Sequence, residues 1–379
     1  MPLGYIIAKW TEDKGLVVPA SHPDNMTVDL DDMMRVFYAH ITGAGEEGNV
    51  FVRLERSQCN VASYFTGMES QEPIMINLMM AFGEDPDMFG EAFLKEINGE
   101  ILKYMSELSM TNVAQSYDVI KKLKEYLKVA LFQLERLKNL TKEQRLAQIY
   151  SSEKGRAILE FLQERARPRK ELLALLEDKL GKLIAGIDYT LDPFIKTDLV
   201  HQDWIAGLAD VIYFLQSDFI LSRVPPNKLI SEAKRGLPND ILAKNYLDAV
   251  RRYFVNYKPT LEDNLIVANN MINPDKYDYI VLFRDKPYPL NKIPKGPGES
   301  FKFVKSMLKS MEDDKIIAII KDKKGTEWVF LLSDLWTDTF YPEYLIEQIR
   351  KDRMKGLLKK EVAVKHLQLL EKEYPKEKT

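Results

Sequence analysis

The stretch from Glu153 to Leu221 constrains the chain most, because its hydrophobic pattern changes from helical to strand-like within one short module. It begins KGRAILEFLQERARPRKELLALLEDKLG, two helical patterns around a short basic turn. It continues LIAGIDYTLDPFIKTDLV, which predicts a third helix from Ile187 to Val200. It closes with HQDWIAGLADVIYFLQSDFIL, two strand-like runs around a Gly-containing turn. The order is helix, turn, helix, helix, hairpin.

The whole chain has 379 residues, which predicts two or three domains. Its 45% hydrophobic and 29% charged residues are those of a soluble globular protein. A net charge of −3 and a pI near 6.0 give no global basic signature for nucleic acid. Cys59 is the one cysteine, which excludes an intramolecular disulfide and a Cys-rich zinc site and suits a reducing, cytoplasmic compartment. The opening MPLGYIIAKWTEDKG meets charge soon after Ile7, so no signal peptide is expected. The most apolar runs, Pro73 to Phe82 and Val211 to Leu221, fall short of the roughly 20 residues that span a bilayer.

In chain order, Tyr5 to Trp10 and Leu16 to Pro19 read as a hairpin across a turn ending in Gly15. Asp29 then starts a helix carrying Met33, Met34, Phe37 and Ile41 on one face, closed by Gly43, Gly45 and Gly48. Val50 to Leu54 and Asn60 to Phe65 alternate like half-buried strands, and Ile74 to Phe82 reads as a strand covered on both faces. Asp85-Pro86 starts a helix with Phe89, Phe93, Ile97, Ile101 and Met105 inward. This hairpin, helix, three-strand meander and closing helix resemble the longin and roadblock group of profilin-like domains. The opening GYIIAKWTEDKGLVVPASHP is similar to the first hairpin of archaeal members. The resemblance covers the first quarter of the chain. It implies a non-catalytic platform that binds a small GTPase or another profilin-like domain.

Tyr117 to Leu140 is continuously helical, and Thr141 with Gln144 forms a capping box that starts another helix. After Leu221, Arg223-Val224-Pro225-Pro226 reads as the start of a linker, followed by helices at Lys228 to Lys234 and Pro238 to Tyr253. Asn256 to Asn273 shows no clear period, and Tyr277 to Arg284 reads as a strand. A helix from Phe301, a hairpin around Asp322-Lys323-Lys324-Gly325 and two charged helices complete the chain. The expected fold class is therefore α+β and multi-domain: a profilin-like α/β sandwich, a winged helix, and a C-terminal α+β region with a helical tail. The expected boundaries are 1–110, a helical connector at 111–144, the middle module at 145–222, the α+β region at 223–340 and the tail at 341–379.

The middle module resembles the winged helix-turn-helix superfamily in its element order. Such a module reads DNA through its third helix, with basic and amide side chains toward bases and phosphates. Here the third helix carries Asp188, Asp192 and Asp198 against Lys196, and the hairpin adds Asp203, Asp210 and Asp218. Carboxylates facing phosphates oppose binding, so nucleic acid is disfavoured and protein docking expected. The docking face would comprise Asp188, Asp192, Lys196, Asp198 and Trp204. If DNA binds after all, as in a transcription regulator with an N-terminal sensing or dimerisation domain, the phosphate contacts would be Arg165, Arg167, Arg169 and Lys170.

No catalytic residues, cofactor or metal site are expected. Lys295 to Ser300 precedes a helix, but it lacks the Gly-Lys-Ser/Thr ending of a phosphate loop and reads as a capping loop. His22, His40, His201 and His366 lie far apart in sequence. Asp29, Asp31 and Asp32 are helix-start acids rather than calcium ligands. Cys59 reads as a buried thiol.

Overall fold

The computed structural model describes residues 2–26, 29–42, 45–82, 89, 91–111, 113–137, 140–181, 184, 187–295 and 301–374. Its mixed α+β chain divides into two compact units, residues 1–139 with 185–190, and residues 140–184 with 191–379.

The first unit is built on β1 (Pro2–Thr11), β2 (Gly15–His22), α1 (Leu30–Ile41), β3 (Gly48–Leu54), β4 (Cys59–Phe65), β5 (Ile74–Ala81), α2 (Glu91–Met110) and α3 (Val113–Arg136). The strands form one antiparallel sheet in the order β2-β1-β5-β4-β3. Side-chain alternation sends Ile6, Ala8, Val61, Phe65, Met75 and Met79 into one core with Met33, Val36 and Phe37 of α1. Each fully buried side chain of this size contributes about 1.5–3 kcal/mol. The Trp10 ring stacks on Phe37, centroids 4.6 Å apart. Asp29 caps α1 by accepting the Asp31 amide at 2.9 Å, and Asp32 turns inward to the Ser57 hydroxyl at 2.5 Å. His40 is also buried, with Nε2 2.9 Å from the Ser63 hydroxyl oxygen. Helix α3 packs on β1 and β2, and α2 packs on α3.

The second unit begins with α4 (Lys142–Ser151) and α5 (Glu153–Glu164), joined through Ser152 alone. The Ser152 amide donates to the Gln148 carbonyl at 3.3 Å, and its hydroxyl accepts the Gly155 amide at 3.2 Å. A Cβ on Gly155 would sit 2.1 Å from the Ile149 carbonyl oxygen, so this close helix junction requires glycine. Next come β6 (Arg167–Pro168), α6 (Arg169–Leu180), α7 (Ile187–Lys196, whose residues 187–190 fall with the first unit), β7 (Val200–Asp203) and β8 (Ile212–Leu215). These three strands form a small sheet in the order β6-β8-β7. The chain continues through β9 (Asp218–Val224), α8 (Asn227–Lys234), α9 (Asp240–Asn256), α10 (Leu261–Ile272), α11 (Pro274–Asp285) and β10 (Tyr288–Pro289). It ends with α12 (Phe301–Asp313), β11 (Ile317–Lys321), β12 (Glu327–Leu331), β13 (Asp334–Phe340), α13 (Tyr344–Met354) and α14 (Lys360–Glu373). A second small sheet runs β10-β12-β11, and β9 pairs with β13 along its length.

Four expectations are corrected. The run read as a linker contains Arg223, whose buried guanidinium ends β9: Nε donates to both carboxylate oxygens of Asp263 at 2.9 and 3.1 Å, and Nη1 to the Ser333 hydroxyl at 3.0 Å. Tyr277 to Arg284 is helical in α11, because Asn273 caps the Lys276 amide and Pro274 opens the first turn. Tyr279, Ile280 and Phe283 then fall on one buried stripe, and tertiary packing overrides their strand propensity. The stretch without clear period contains α10, capped by Thr260 and packed along α4. Finally, Val211 to Leu221 is two strands, β8 and β9, that belong to different sheets. Helix α3 lies in the first unit and α4 in the second. The Asp85-Pro86 start, Gly43 and positions 296–300 lie outside the described residues.

The last helix contributes a buried side chain to the second unit. His366 of α14 is fully buried, and its Nε2 lies 2.8 Å from the Leu215 carbonyl of β8. Its ring meets Phe214 edge-on at 5.4 Å. Burial holds the imidazole well below its ordinary range, at about 4, with the Leu215 carbonyl opposing weakly. Folded His366 therefore stays neutral where an unfolded histidine would take up a proton. Its contribution to stability is complete above about pH 6.5 and is lost as pH falls toward 4, by about 3 kcal/mol in all. Urea unfolding at pH 7 and pH 5 checks this. The native chain should lose more stability on acidification than His366→Gln, and equal losses would refute it.

Candidate functional site

The basic turn between α5 and α6 is largely internal. Arg167, expected as a phosphate contact, is buried, with Nη1 2.5 Å from Glu171 and Nη2 2.6 Å from Glu164. Two carboxylates at i+4 and i−3 already satisfy its charge, so it is unavailable to an external anion. Arg165 and Arg169 are half-buried, and the Arg169 amide donates to the Val211 carbonyl at 2.8 Å to join β6 to β8. Lys170 alone of the four is exposed. Its amide donates to Asp210 at 2.7 Å, so a carboxylate from the β7–β8 loop supplies the cap that Pro168 cannot give α6. Arg156, a further cation of this module, turns back to the Tyr150 and Ser151 carbonyls at 2.7 and 2.9 Å and closes the end of α4.

The acids divide in the same way. Asp218 is buried, accepting from the Tyr344 hydroxyl at 2.7 Å and the Gln163 amide at 2.9 Å. Asp203 pairs with Lys365 of α14, whose hydrogen bond holds its carboxyl below the usual range. Asp210 serves the α6 cap. Three of the carboxylates counted against nucleic acid in the hairpin therefore have internal partners. The outward set is smaller. Asp188, which falls with the first unit, is exposed; in the second unit Asp198 is exposed, and Asp192 pairs with Lys196 one turn later at 2.6 Å, both ends half in solvent. Asp198 takes a left-handed φ of 59° that turns α7 toward β7, a conformation Asp tolerates, and its carbonyl accepts from Gln216 at 3.0 Å. Trp204 follows β7 with 59% of its surface exposed. An indole so placed offers a large apolar contact of the kind that anchors protein interfaces.

The roles of Asp210, Lys365 and His366 were not legible in the sequence. Each depends on a partner far along the chain, with no local spacing to announce it. Among the described residues there is no group of three or more His, Cys, Asp or Glu placed to hold a metal ion. Likewise no described helix is long and apolar enough to cross a membrane. Comparisons with protein-family models, with curated proteins and with solved structures find no match to this chain.

The two ends of the basic turn should respond differently to mutation. Arg167→Ala empties a buried site and removes the cation shared by two half-exposed glutamates, and should destabilise the second unit by about 1–3 kcal/mol. Lys170→Ala, at an exposed site, should stay within about 0.5 kcal/mol of the native chain. Chemical denaturation followed by circular dichroism measures both, and equal small effects would show that Arg167 is not held as described.

Proposed function

We propose that the chain is a non-enzymatic, cytoplasmic scaffold or regulator that binds proteins through two modules. Residues 1–110 serve as a longin/roadblock-like, profilin-like domain, and residues 145–222 as a winged-helix docking module. The C-terminal α+β region and helical tail buttress the latter. The first reading is supported by the order β1-β2-α1-β3-β4-β5-α2, a hairpin and a three-strand meander in one sheet with α1 against one face. The second is supported by the order α5-β6-α6-α7-β7-β8 with its three-stranded sheet. A small GTPase or another profilin-like domain is the partner class for the first module, by resemblance alone.

One observation carries the choice of protein over DNA: Arg167, central to the basic turn, is buried between two glutamates. Phosphate attraction scales with the number of available cations, and of the four basic residues in that turn Lys170 alone is exposed. The outward face of α7 and the loop after β7 instead offers Asp192, Asp198 and Trp204. A polypeptide with an apolar anchor site and basic rim fits that face better than a polyanion.

Immobilised full-length chain should retain a discrete protein partner. Retention should fall about tenfold or more when Trp204→Ala is combined with Asp192→Lys, while a duplex DNA probe at low salt should not shift. A DNA complex with steep salt dependence, weakened by Lys170→Glu and Arg169→Glu, would overturn this in favour of a transcription regulator.

A further inference from the structure

A groove of about 410 Å³ opens between α9 and β11 in the second unit. Every residue from Ile317 to Lys321 borders it. Successive strand side chains point to opposite faces, so five consecutive residues can line one groove only if the backbone edge itself is turned toward it. That edge is open. β11 pairs with β12 over its full length and with no other described strand. An edge of this kind presents amide and carbonyl groups that an added strand can take up.

The opposite wall is rigid. Helix α9 is fixed by Tyr246, which is buried, stacks on Phe330 at 4.7 Å and donates its hydroxyl to the Leu331 carbonyl at 2.9 Å. Asn245, Ala249 and Arg252 recur one turn apart along its groove side. The small Ala249 side chain leaves space between the two longer ones.

The charges select the occupant. The groove is bordered by Arg252, Lys315 and Lys321 against Glu312. Glu312 is already engaged by Lys309 at 3.2 Å, and Lys321 shares Glu327 at 3.4 Å. The balance is positive, which suits carboxylates. A second copy of β11 suits it poorly: the strand Ile317–Lys321 would bring a lysine and no acidic side chain to this positive edge.

We propose that this groove docks an extended acidic peptide segment, taken up as a fourth strand beside β11. The backbone edge supplies the ladder, and Arg252 and Lys315 read the acidic side chains. The site is distinct from the α7 face and does not depend on the reading given for it.

The test uses the full chain and a capped, fluorescein-labelled heptapeptide of alternating Glu and Val, followed by fluorescence anisotropy. Saturable binding is expected below about 1 mM, with slowed amide exchange confined to residues 317–321 and their β12 partners. A peptide N-methylated at alternate amides should bind about tenfold more weakly or worse, since it loses ladder hydrogen bonds. A Lys-Val peptide should bind weakly for want of charge complementarity, as should the Glu-Val peptide on the Arg252→Glu, Lys315→Glu variant. These peptide-side controls leave the protein unaltered, so misfolding cannot imitate them. Equal binding of the N-methylated or Lys-Val peptide, or no saturation, would overturn the proposal. Self-association of the free chain with the same amides protected would mean that a second copy occupies the edge, and would overturn it too.

Discussion

The second unit depends on a guanidinium withdrawn from water. Arg223 stands where β9 leaves the small middle module, and it ties that strand to α10 through Asp263 and to the β12–β13 turn through Ser333. The Ser333 hydroxyl passes the connection on to the Lys315 carbonyl at 2.7 Å, and the Tyr257 hydroxyl donates to Asp263 at 2.7 Å. Desolvating such a charge costs several kcal/mol, which only close and complete pairing offsets. Leaving the ion without its partner would therefore be worth about 3–5 kcal/mol of instability, a large share of a domain's net stability. The geometry of β9 against β13 follows from this tie as much as from the ladder between them.

The same rule governs the middle module. Charges that look free in sequence are paired inside: Arg156 with carbonyls, Arg167 with two glutamates, Asp210 with a helix start, Asp218 with Tyr344. Of the groups singled out above, Lys170, a short set at α7 and the Trp204 indole remain outward. Counting formal charges along a segment overstates both its basic turn and its acidic hairpin. The electrostatic character of the surface is set by which groups the fold consumes.

Local signals carried much of the first unit. Asp29 before an acidic first turn, the Gly15 hairpin and the continuous apolar run at β5 each fix one element through short-range physics, and each element formed. The capping box at Thr141 was equally legible, with both reciprocal bonds made. The failures came where two signals competed. In α11, β-branched and aromatic residues suggested a strand, but the Asn273-Pro274 start and the buried helical stripe prevailed. At Arg223 the following Pro225-Pro226 suggested a linker, because nothing nearby reveals an aspartate 40 residues on. The candidate docking face was visible as residue types, yet the internal partners of its neighbours were not. The open edge of β11 was invisible, since edges are a property of sheet order.

The pairing of β9 with β13 and the seat of His366 on Leu215, 151 residues earlier, bear on how the chain is made. During synthesis from the N-terminus, β9 leaves the ribosome long before β13 exists, and the β8 sheet waits longer still for α14. Non-local pairings of this kind form late and slowly, and an emerging strand without its partner is prone to stick to others. The first unit draws nearly all its contacts from one continuous early stretch. It can therefore complete itself early in synthesis, while the second unit must wait for its last strand and helix.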